Sequence, residues 1–202
     1  MRILIISGSR NPDGRTASLI HALREGITSA GGDSECLFLP HMEIERCRQC
    51  NEDGWGICLS EKRCLIEDDF ASIVEKIDYS DAVVFATPVY YNDLSESMKA
   101  FLDRLRRVRS GILTPPTPSI PHPLNPEEGS LAIGLCYAGG SGNGSTFCCM
   151  NLERTLQFSG FDVVDMIPVR RQNLEAKRPV LQLIGEWLVT KPSSSKCRLD
   201  PV

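Results

Sequence analysis

Five short apolar segments constrain the fold of this chain more than any other feature. Ile3 to Ile6 are apolar without interruption, and the other four segments are similarly rich in apolar and β-branched residues. Continuous apolarity is typical of strands buried on both faces, as in parallel sheets. The pattern predicts strands over residues 2–7, 35–40, 81–88, 131–138 and 161–169. We therefore expect a parallel sheet covered by helices.

The segments between these strands have the apolar spacing of helices. Residues 15–30 place Leu19, Leu23 and Ile27 on one face, and residues 95–109 repeat this spacing with Ser95 as an N-cap. Further helices are predicted over 68–78, 145–158 and 179–189. Strands that alternate with helices indicate a doubly wound α/β sheet with right-handed crossovers.

Two segments interrupt this alternation within a single domain that we place at residues 1–190. The first is a cysteine-rich insert, residues 41–66. The second is a proline-rich loop, residues 110–129, whose six prolines exclude a regular helix or an inner strand. This loop is either an exposed semi-rigid connection or a substrate lid or subunit clasp. Residues 191–202 have the composition of a flexible tail.

The charge and the N-terminal segment restrict the classes of partner. A net charge of −4 gives no electrostatic reason to expect nucleic acid or an anionic membrane as a partner. The apolar run from Ile3 to Ile6 is too short for a signal peptide, so we expect a cytoplasmic protein. In that reducing compartment, we expect the nine cysteines to be free thiols, metal ligands or redox groups rather than structural disulfides.

The loop after the first strand, residues 7–18, has the composition of a phosphate site. Small residues allow backbone N–H groups to approach a ligand, and the following helix N-terminus favours an anion. The spacing matches neither the dinucleotide fingerprint nor the P-loop, so a phosphate monoester fits best. The alternative is a Gly/Ser turn with its arginines in solvent. The candidate phosphate residues are Ser9, Arg10, Arg15, Thr16 and Ser18.

Two more loops follow predicted strands at the same edge of the sheet, where ligands of open α/β sheets bind. After the third strand, Tyr90, Tyr91 and Asn92 can contact a flat ring and its polar rim, unless the tyrosines belong to the core. After the fourth strand, residues 139–144 contain four glycines and offer mainly backbone groups to a ring edge, unless they form only a flexible turn.

Residues 2–170 carry these three motifs in one particular order. In this respect the chain resembles the NADPH-dependent FMN reductase and iron-sulfur flavoprotein branch of the flavodoxin-like superfamily. The resemblance implies a flavodoxin-like, doubly wound, five-stranded parallel sheet of order 2-1-3-4-5 that binds FMN at its edge. The first loop would hold the phosphate, although the family's commoner loop places its arginine differently, so the resemblance does not decide between Arg10 and Arg15. The residues that it places around the isoalloxazine are Pro88, Val89, Tyr90, Tyr91, Asn92, Tyr137, Gly139, Gly140, Ser141 and Gly142.

The resemblance also implies the chemistry. NADPH or NADH would give hydride to flavin N5, and a small acceptor such as a quinone or free flavin would receive the electrons. No side chain is assigned a catalytic role, and we expect His21, His41 and His122 to lie away from the three motifs. A homodimer or homotetramer is expected. The alternatives are an iron-sulfur flavoprotein in electron transfer and a non-enzymatic FMN-binding redox-sensing module.

Four cysteines in the insert are candidates for a second redox centre. Cys47, Cys50, Cys58 and Cys64 have the spacing C-x2-C-x7-C-x5-C, which matches neither a ferredoxin run nor paired zinc knuckles. They either bind a 4Fe-4S cluster or zinc, or remain free or reversibly oxidised thiols in a loop that shapes the flavin pocket.

Two neighbouring pairs of residues receive structural assignments. The Asp68–Asp69 pair is expected to cap the helix that follows it, because carboxylates are favoured at the positive end of a helix dipole. Cys148 and Cys149 are expected to be buried in their helix rather than redox active.

Overall fold

The structure, a computed structural model, describes residues 1–51, 54, 56–109 and 130–190. The predictions for the proline-rich loop, the tail and His122 lie outside these residues.

Five strands alternate with helices along the described chain. The strands are β1 (Arg2–Ser7), β2 (Asp33–Phe38), β3 (Ala82–Pro88), β4 (Ser130–Ala138) and β5 (Phe161–Arg170). The helices are α1 (Arg15–Ser29), α2 (Cys58–Glu61), α3 (Phe70–Asp78), α4 (Glu96–Arg109), α5 (Ser145–Phe158) and α6 (Leu174–Thr190). Short 3-10 turns cover Leu39–His41 and Arg171–Asn173.

The strands form one parallel sheet of order β2-β1-β3-β4-β5, which confirms the predicted fold. Side chains of β1 alternate between two apolar cores. Leu4 and Ile6 face a core built with α3, α4 and α5, whereas Ile3 and Ile5 face a core built with α1 and α6. Burial on both faces explains why the β1 sequence is apolar at every position.

Several element boundaries differ from the predictions, and among them β2 begins at Asp33 and α3 at Phe70, each two residues from the predicted start. β2 ends at Phe38, two residues early, because Leu39–His41 turn away from the sheet and Pro40 has no N–H for a strand ladder. α6 begins at Leu174, five residues early, and contains Pro179 in its interior. Proline is typical of a first helical turn, which is why the sequence placed the start of α6 at Pro179.

Within the described ranges, no helix combines the length and the apolar composition needed to cross a bilayer.

Candidate functional site

Three loops meet at the carboxyl edge of the sheet. The Gly8 N–H donates to the Ala86 carbonyl at 2.8 Å, which joins the loop after β1 to β3. The Val89 N–H donates to the Tyr137 carbonyl at 2.8 Å, which joins the loop after β3 to the end of β4. The structure thus brings together the three motifs that the sequence separates by up to 130 residues of chain.

The first loop packs closely against the start of α4. A Cβ atom on Gly8 would lie 2.3 Å from Ser95 Oγ, so only glycine fits at this position. Ser97 Oγ donates to the Gly8 carbonyl at 3.2 Å. Ser95 Oγ accepts from the Met98 N–H at 3.4 Å, which confirms Ser95 as the predicted cap of α4.

The N-terminus of α1 lies at the end of this first loop and is open to an anion. Its N-cap is Gly14, no described side chain caps the helix, and its first turn contains no acidic residue. Ser9 is buried in the loop and Thr16 is buried in the first turn of α1, whereas Arg10 and Arg15 are exposed. Free N–H groups at the positive end of a helix, with two arginines nearby, can bind a phosphate.

His41 lies against this loop, which corrects the prediction that all three histidines lie away from the motifs. Its Nε2 lies 3.0 Å from the Arg10 carbonyl oxygen, which accepts a hydrogen bond. Its ring stacks on the ring of Phe38, with centroids 5.9 Å apart. Because β2 pairs with β1, residues that follow β2 lie beside residues that follow β1. His21 is exposed on α1.

The loop after β3 forms a tight turn that displays two tyrosines. The N–H groups of Tyr90 and Asp93 donate to each other's carbonyl oxygens at 2.9 and 3.0 Å. Between them, Tyr91 and Asn92 have φ of 51° and 67°, the left-handed region that favours glycine. Tyr90 is half exposed and Tyr91 fully exposed, so the tyrosines are not core residues.

The glycine loop after β4 is fixed from two sides. A Cβ atom on Gly144 would lie 2.2 Å from Asn92 Oδ1, so the loop packs directly on the tyrosine turn. Gln172 Nε2 donates to the Ser141 carbonyl at 2.8 Å. The sequence did not identify Gln172, whose contact depends on the position of β5 beside β4.

A cleft of about 1010 Å³ runs from the loops after β1 and β3 into the cysteine-rich insert, and no residue of the glycine loop lines it. This volume is at the upper end of the range typical of cofactor and ligand sites, roughly 300–1,000 Å³. Its walls come from the loop after β1, the segment after β2 and the start of α4. The residues that line it include Gly8, Arg10, His41, Met42, Arg46, Cys47, Tyr90 and Ser97.

The four cysteines of the insert surround one small cavity beside this cleft. Its lining includes Cys47, Cys50, Cys58, Cys64, Ile66, Arg104 and Arg107. Burial raises the pKa of Cys58, and the other three thiols add to the increase, which reflects their proximity. All eight cysteines of the described ranges are unbridged, and no three His, Cys, Asp or Glu side chains there have metal-ligand geometry.

Asp68 joins the insert to α4 rather than acting only as a helix cap. Its Oδ2 accepts from Arg104 Nη1 at 2.6 Å and from the Glu45 N–H at 2.8 Å, and its Oδ1 accepts from Arg104 Nη2 at 2.9 Å. Oδ1 also accepts from the Phe70 N–H at 3.1 Å at the start of α3, although the N-cap residue of this helix is Asp69. Burial alone would raise the Asp68 pKa, but Arg104 and the two N–H groups lower it.

Asp69 is the N-cap residue of α3, but its side chain forms no capping hydrogen bond, which corrects the prediction for this side chain. Its carboxylate accepts from the Glu43 N–H at 2.8 Å, and its own N–H donates to the Glu43 carbonyl at 3.0 Å. The acidic pair therefore holds the segment after β2 in place.

Cys148 and Cys149 are buried in α5, as predicted. Both lie beside Cys136 of β4, in the core beneath the glycine loop.

The sheet order and the three edge loops define a flavodoxin-like α/β protein. The solved structure of a flavodoxin has the same fold. More closely, the chain belongs to the NADPH-dependent FMN reductase family, whose model matches residues 1–173.

One relative is an iron-sulfur flavoprotein of Methanocaldococcus jannaschii, 30% identical over 140 residues, or 69% of this chain and 65% of the relative. The chain spans about half the length of several other curated relatives that it matches. The NAD(P)H:quinone oxidoreductase from Methanothermobacter marburgensis superposes with a TM-score of 0.63 at 19% identity, covering 93% of this chain and 96% of that one. A flavone reductase superposes with a TM-score of 0.67 at 18% identity, covering 94% and 62%.

Proposed function

We propose that this protein is an FMN-dependent oxidoreductase that uses NADPH or NADH to reduce a small acceptor. The meeting of the three loops at the sheet edge carries this proposal. The open N-terminus of α1 suits the FMN phosphate, and the tyrosine turn and glycine loop suit the isoalloxazine and its pyrimidine edge. Membership of the NADPH-dependent FMN reductase family supports the same assignment.

When bound, FMN supplies the two-electron transfer between a nicotinamide and an acceptor such as a quinone or free flavin. The chain's residues bind and orient the reactants. The first loop holds the phosphate, Gln172 and Asn92 fix the glycine loop, and the cleft admits the nicotinamide beside Tyr90. Orientation of the reactants is the protein's contribution to rate.

Comparison of FMN with riboflavin tests the phosphate site and decides between the two arginines. Apo-protein is titrated with each flavin, together with the variants Arg10→Gln and Arg15→Gln. We expect wild-type protein to bind FMN at least tenfold more tightly than riboflavin. The arginine that contacts the phosphate is the one whose loss weakens FMN binding and leaves riboflavin binding unchanged. Equal affinity of the wild type for both flavins would contradict the phosphate site.

We propose, second, that the four cysteines of the insert bind an iron-sulfur cluster. Their position around one cavity favours this function, and relatives named iron-sulfur flavoproteins support it. Four thiolates are the usual ligands of such clusters. The test is the iron and acid-labile sulfide content of anaerobically purified protein. The variant is Cys47→Ser, and the control is Cys36→Ser, which removes a thiol on β2. Absence of iron and sulfide from the wild type would contradict the cluster.

A further inference from the structure

Arg104 of α4 is a cation held in the interior of the protein. Its side chain is 1% exposed, and the side chain of its partner Asp68 is 5% exposed. Burial by itself would lower the pKa of Arg104, but the hydrogen bonds that it donates to Asp68 and the interaction with Cys64 raise it, so the guanidinium remains charged. A buried charge needs partners for its donors, which makes the position of each donor informative.

Both terminal nitrogens of Arg104 donate hydrogen bonds. Nη1 donates to Asp68 Oδ2 at 2.6 Å and to the Glu45 carbonyl at 3.1 Å, and Nη2 donates to Asp68 Oδ1 at 2.9 Å. The guanidinium carbon also lies 4.1 Å from the centroid of the Phe70 ring. These contacts account for the structural role of Arg104, which is to join α4 to the segment after β2.

The third donor, Nε–H, has no acceptor among the described residues although it is buried. Unpaired buried donors are rare, and each one requires an explanation. Asp68 and Glu45 are already bound to the other nitrogens, so the ion pair does not explain this donor.

The same guanidinium lines the small cavity that the four cysteines surround. The Cys64 thiol is close enough to form a side-chain hydrogen bond with the Arg104 guanidinium, but the Nε–H itself has no acceptor among the described residues. The residue that carries the unpaired donor therefore lines the same cavity as the four thiols. An acceptor bound among these thiols would complete its hydrogen bonds.

We propose that the Nε–H of Arg104 donates to a sulfur atom of the iron-sulfur cluster held by Cys47, Cys50, Cys58 and Cys64, and thereby raises the reduction potential of the cluster. This inference rests on the second proposed function. Hydrogen bonds to cluster sulfurs and nearby positive charge stabilise the reduced, more negative state. Arg104 is thus a positioning and tuning residue.

The variant Arg104→Lys separates this role from the structural one. Lysine keeps the positive charge and can pair with Asp68, but it has no Nε–H at the cavity wall. Arg109→Lys is the matched control, because Arg109 lies on the same helix, pairs with Asp78 and packs on the ring of Phe161. Arg109 does not line the cysteine cavity.

The experiment is a redox titration of anaerobically purified full-length protein, monitored by EPR, after iron and sulfide have been measured. We expect Arg104→Lys to lower the ratio of reduced to oxidised cluster at least tenfold at a fixed potential, which is a shift of about 59 mV to more negative values for a one-electron couple. Arg109→Lys should leave the potential unchanged. A loaded Arg104→Lys protein with the wild-type potential would overturn the Arg104 assignment alone. A wild type without iron and sulfide would overturn the cluster and the assignment together.

A measurement on folded wild-type protein covers the case in which Arg104→Lys does not fold. Protein labelled with ¹⁵N only in arginine should show a nitrogen coupling in pulsed EPR of the reduced cluster. Because Arg107 also lines the cavity, the labelled Arg107→Lys protein is measured as well and should keep the coupling. Loss of the coupling in that variant, or its absence from the wild type, would overturn the proposal.

Discussion

Tyr91 combines a strained backbone with a fully exposed side chain. Its φ of 51° is unfavourable for any residue with a Cβ atom, and no burial of the ring compensates for it. Such strain is retained mainly where the side chain has a function, and Tyr91 lies in the turn that we assign to the flavin ring.

Replacement of Tyr91 by glycine should stabilise the apo-protein. Removal of the left-handed strain is expected to raise the free energy of unfolding by about 1 kcal/mol. The measurement is urea denaturation, with Tyr79→Gly as the control, because Tyr79 is also exposed but has an ordinary φ of −93°. FMN affinity should fall in the Tyr91 variant. If both glycine variants destabilise the protein equally, Tyr91 is not strained.

Asp68 should make the stability of the protein dependent on acid pH. Its pKa in the folded state is below the ordinary 3.8, so its stabilising contribution is complete above that value and is lost as the pH falls further. Asp68→Asn should therefore lower the free energy of unfolding near neutral pH by about 3–5 kcal/mol, the usual cost of breaking a buried pair. It should also flatten the decline below about pH 4. An unchanged pH dependence would contradict the assignment.

At the scale of elements, the sequence predicts the features that depend on local patterns. The inner strands β1, β3 and β4 were recognisable because burial on both faces requires apolar residues at nearly every position, whereas the edge strands β2 and β5 keep charged residues among their apolar ones. The three edge loops were recognisable because ligand sites of such sheets follow the strands. The contacts of His41, Gln172 and Arg104 were not recognisable, because their partners lie 31 to 36 residues away and depend on strand order.

Helices α1 and α6 pack closely enough to require glycine at their contact. A Cβ atom on Gly26 would lie 1.9 Å from the Gln182 carbonyl oxygen, and one on Gly185 would lie 2.2 Å from the Leu23 carbonyl oxygen. Helix propensity alone favours alanine over glycine by about 1 kcal/mol. The close contact between the helices predicts instead that alanine is less stable than glycine at these two positions.

Gly26→Ala and Gly185→Ala should each lower the free energy of unfolding, by roughly 1–3 kcal/mol, because overpacking separates the helices. Thermal unfolding of the two variants measures this change. An increase in stability would show that the helices can move apart without cost.

Gln172 should affect cofactor affinity without large effects on the fold. Gln172→Ala removes the hydrogen bond to the Ser141 carbonyl and releases the glycine loop, for an expected loss of about tenfold in FMN affinity, or about 1.4 kcal/mol. Gln182→Ala is the matched control, since Gln182 forms an exposed hydrogen bond with Glu25 on the opposite side of the sheet from the α3–α5 core. Equal FMN affinities for the two variants would contradict the role of Gln172.

At the scale of the whole molecule, the cysteine-rich insert connects two sites. Cys47 lines both the large cleft and the small cysteine cavity, and Asp68, Asp69 and Arg104 hold the segment that leads to it. This arrangement places a candidate second redox centre directly beside the candidate flavin site.

The visible spectrum of the purified protein, recorded before and after anaerobic addition of NADPH, tests the central claim most directly. We predict the absorption bands of bound flavin in the purified or FMN-reconstituted protein, and their bleaching by one equivalent of NADPH or NADH. Bands that remain after the nicotinamide is added would contradict the oxidoreductase function. A colourless protein that does not take up FMN would contradict the flavin site itself.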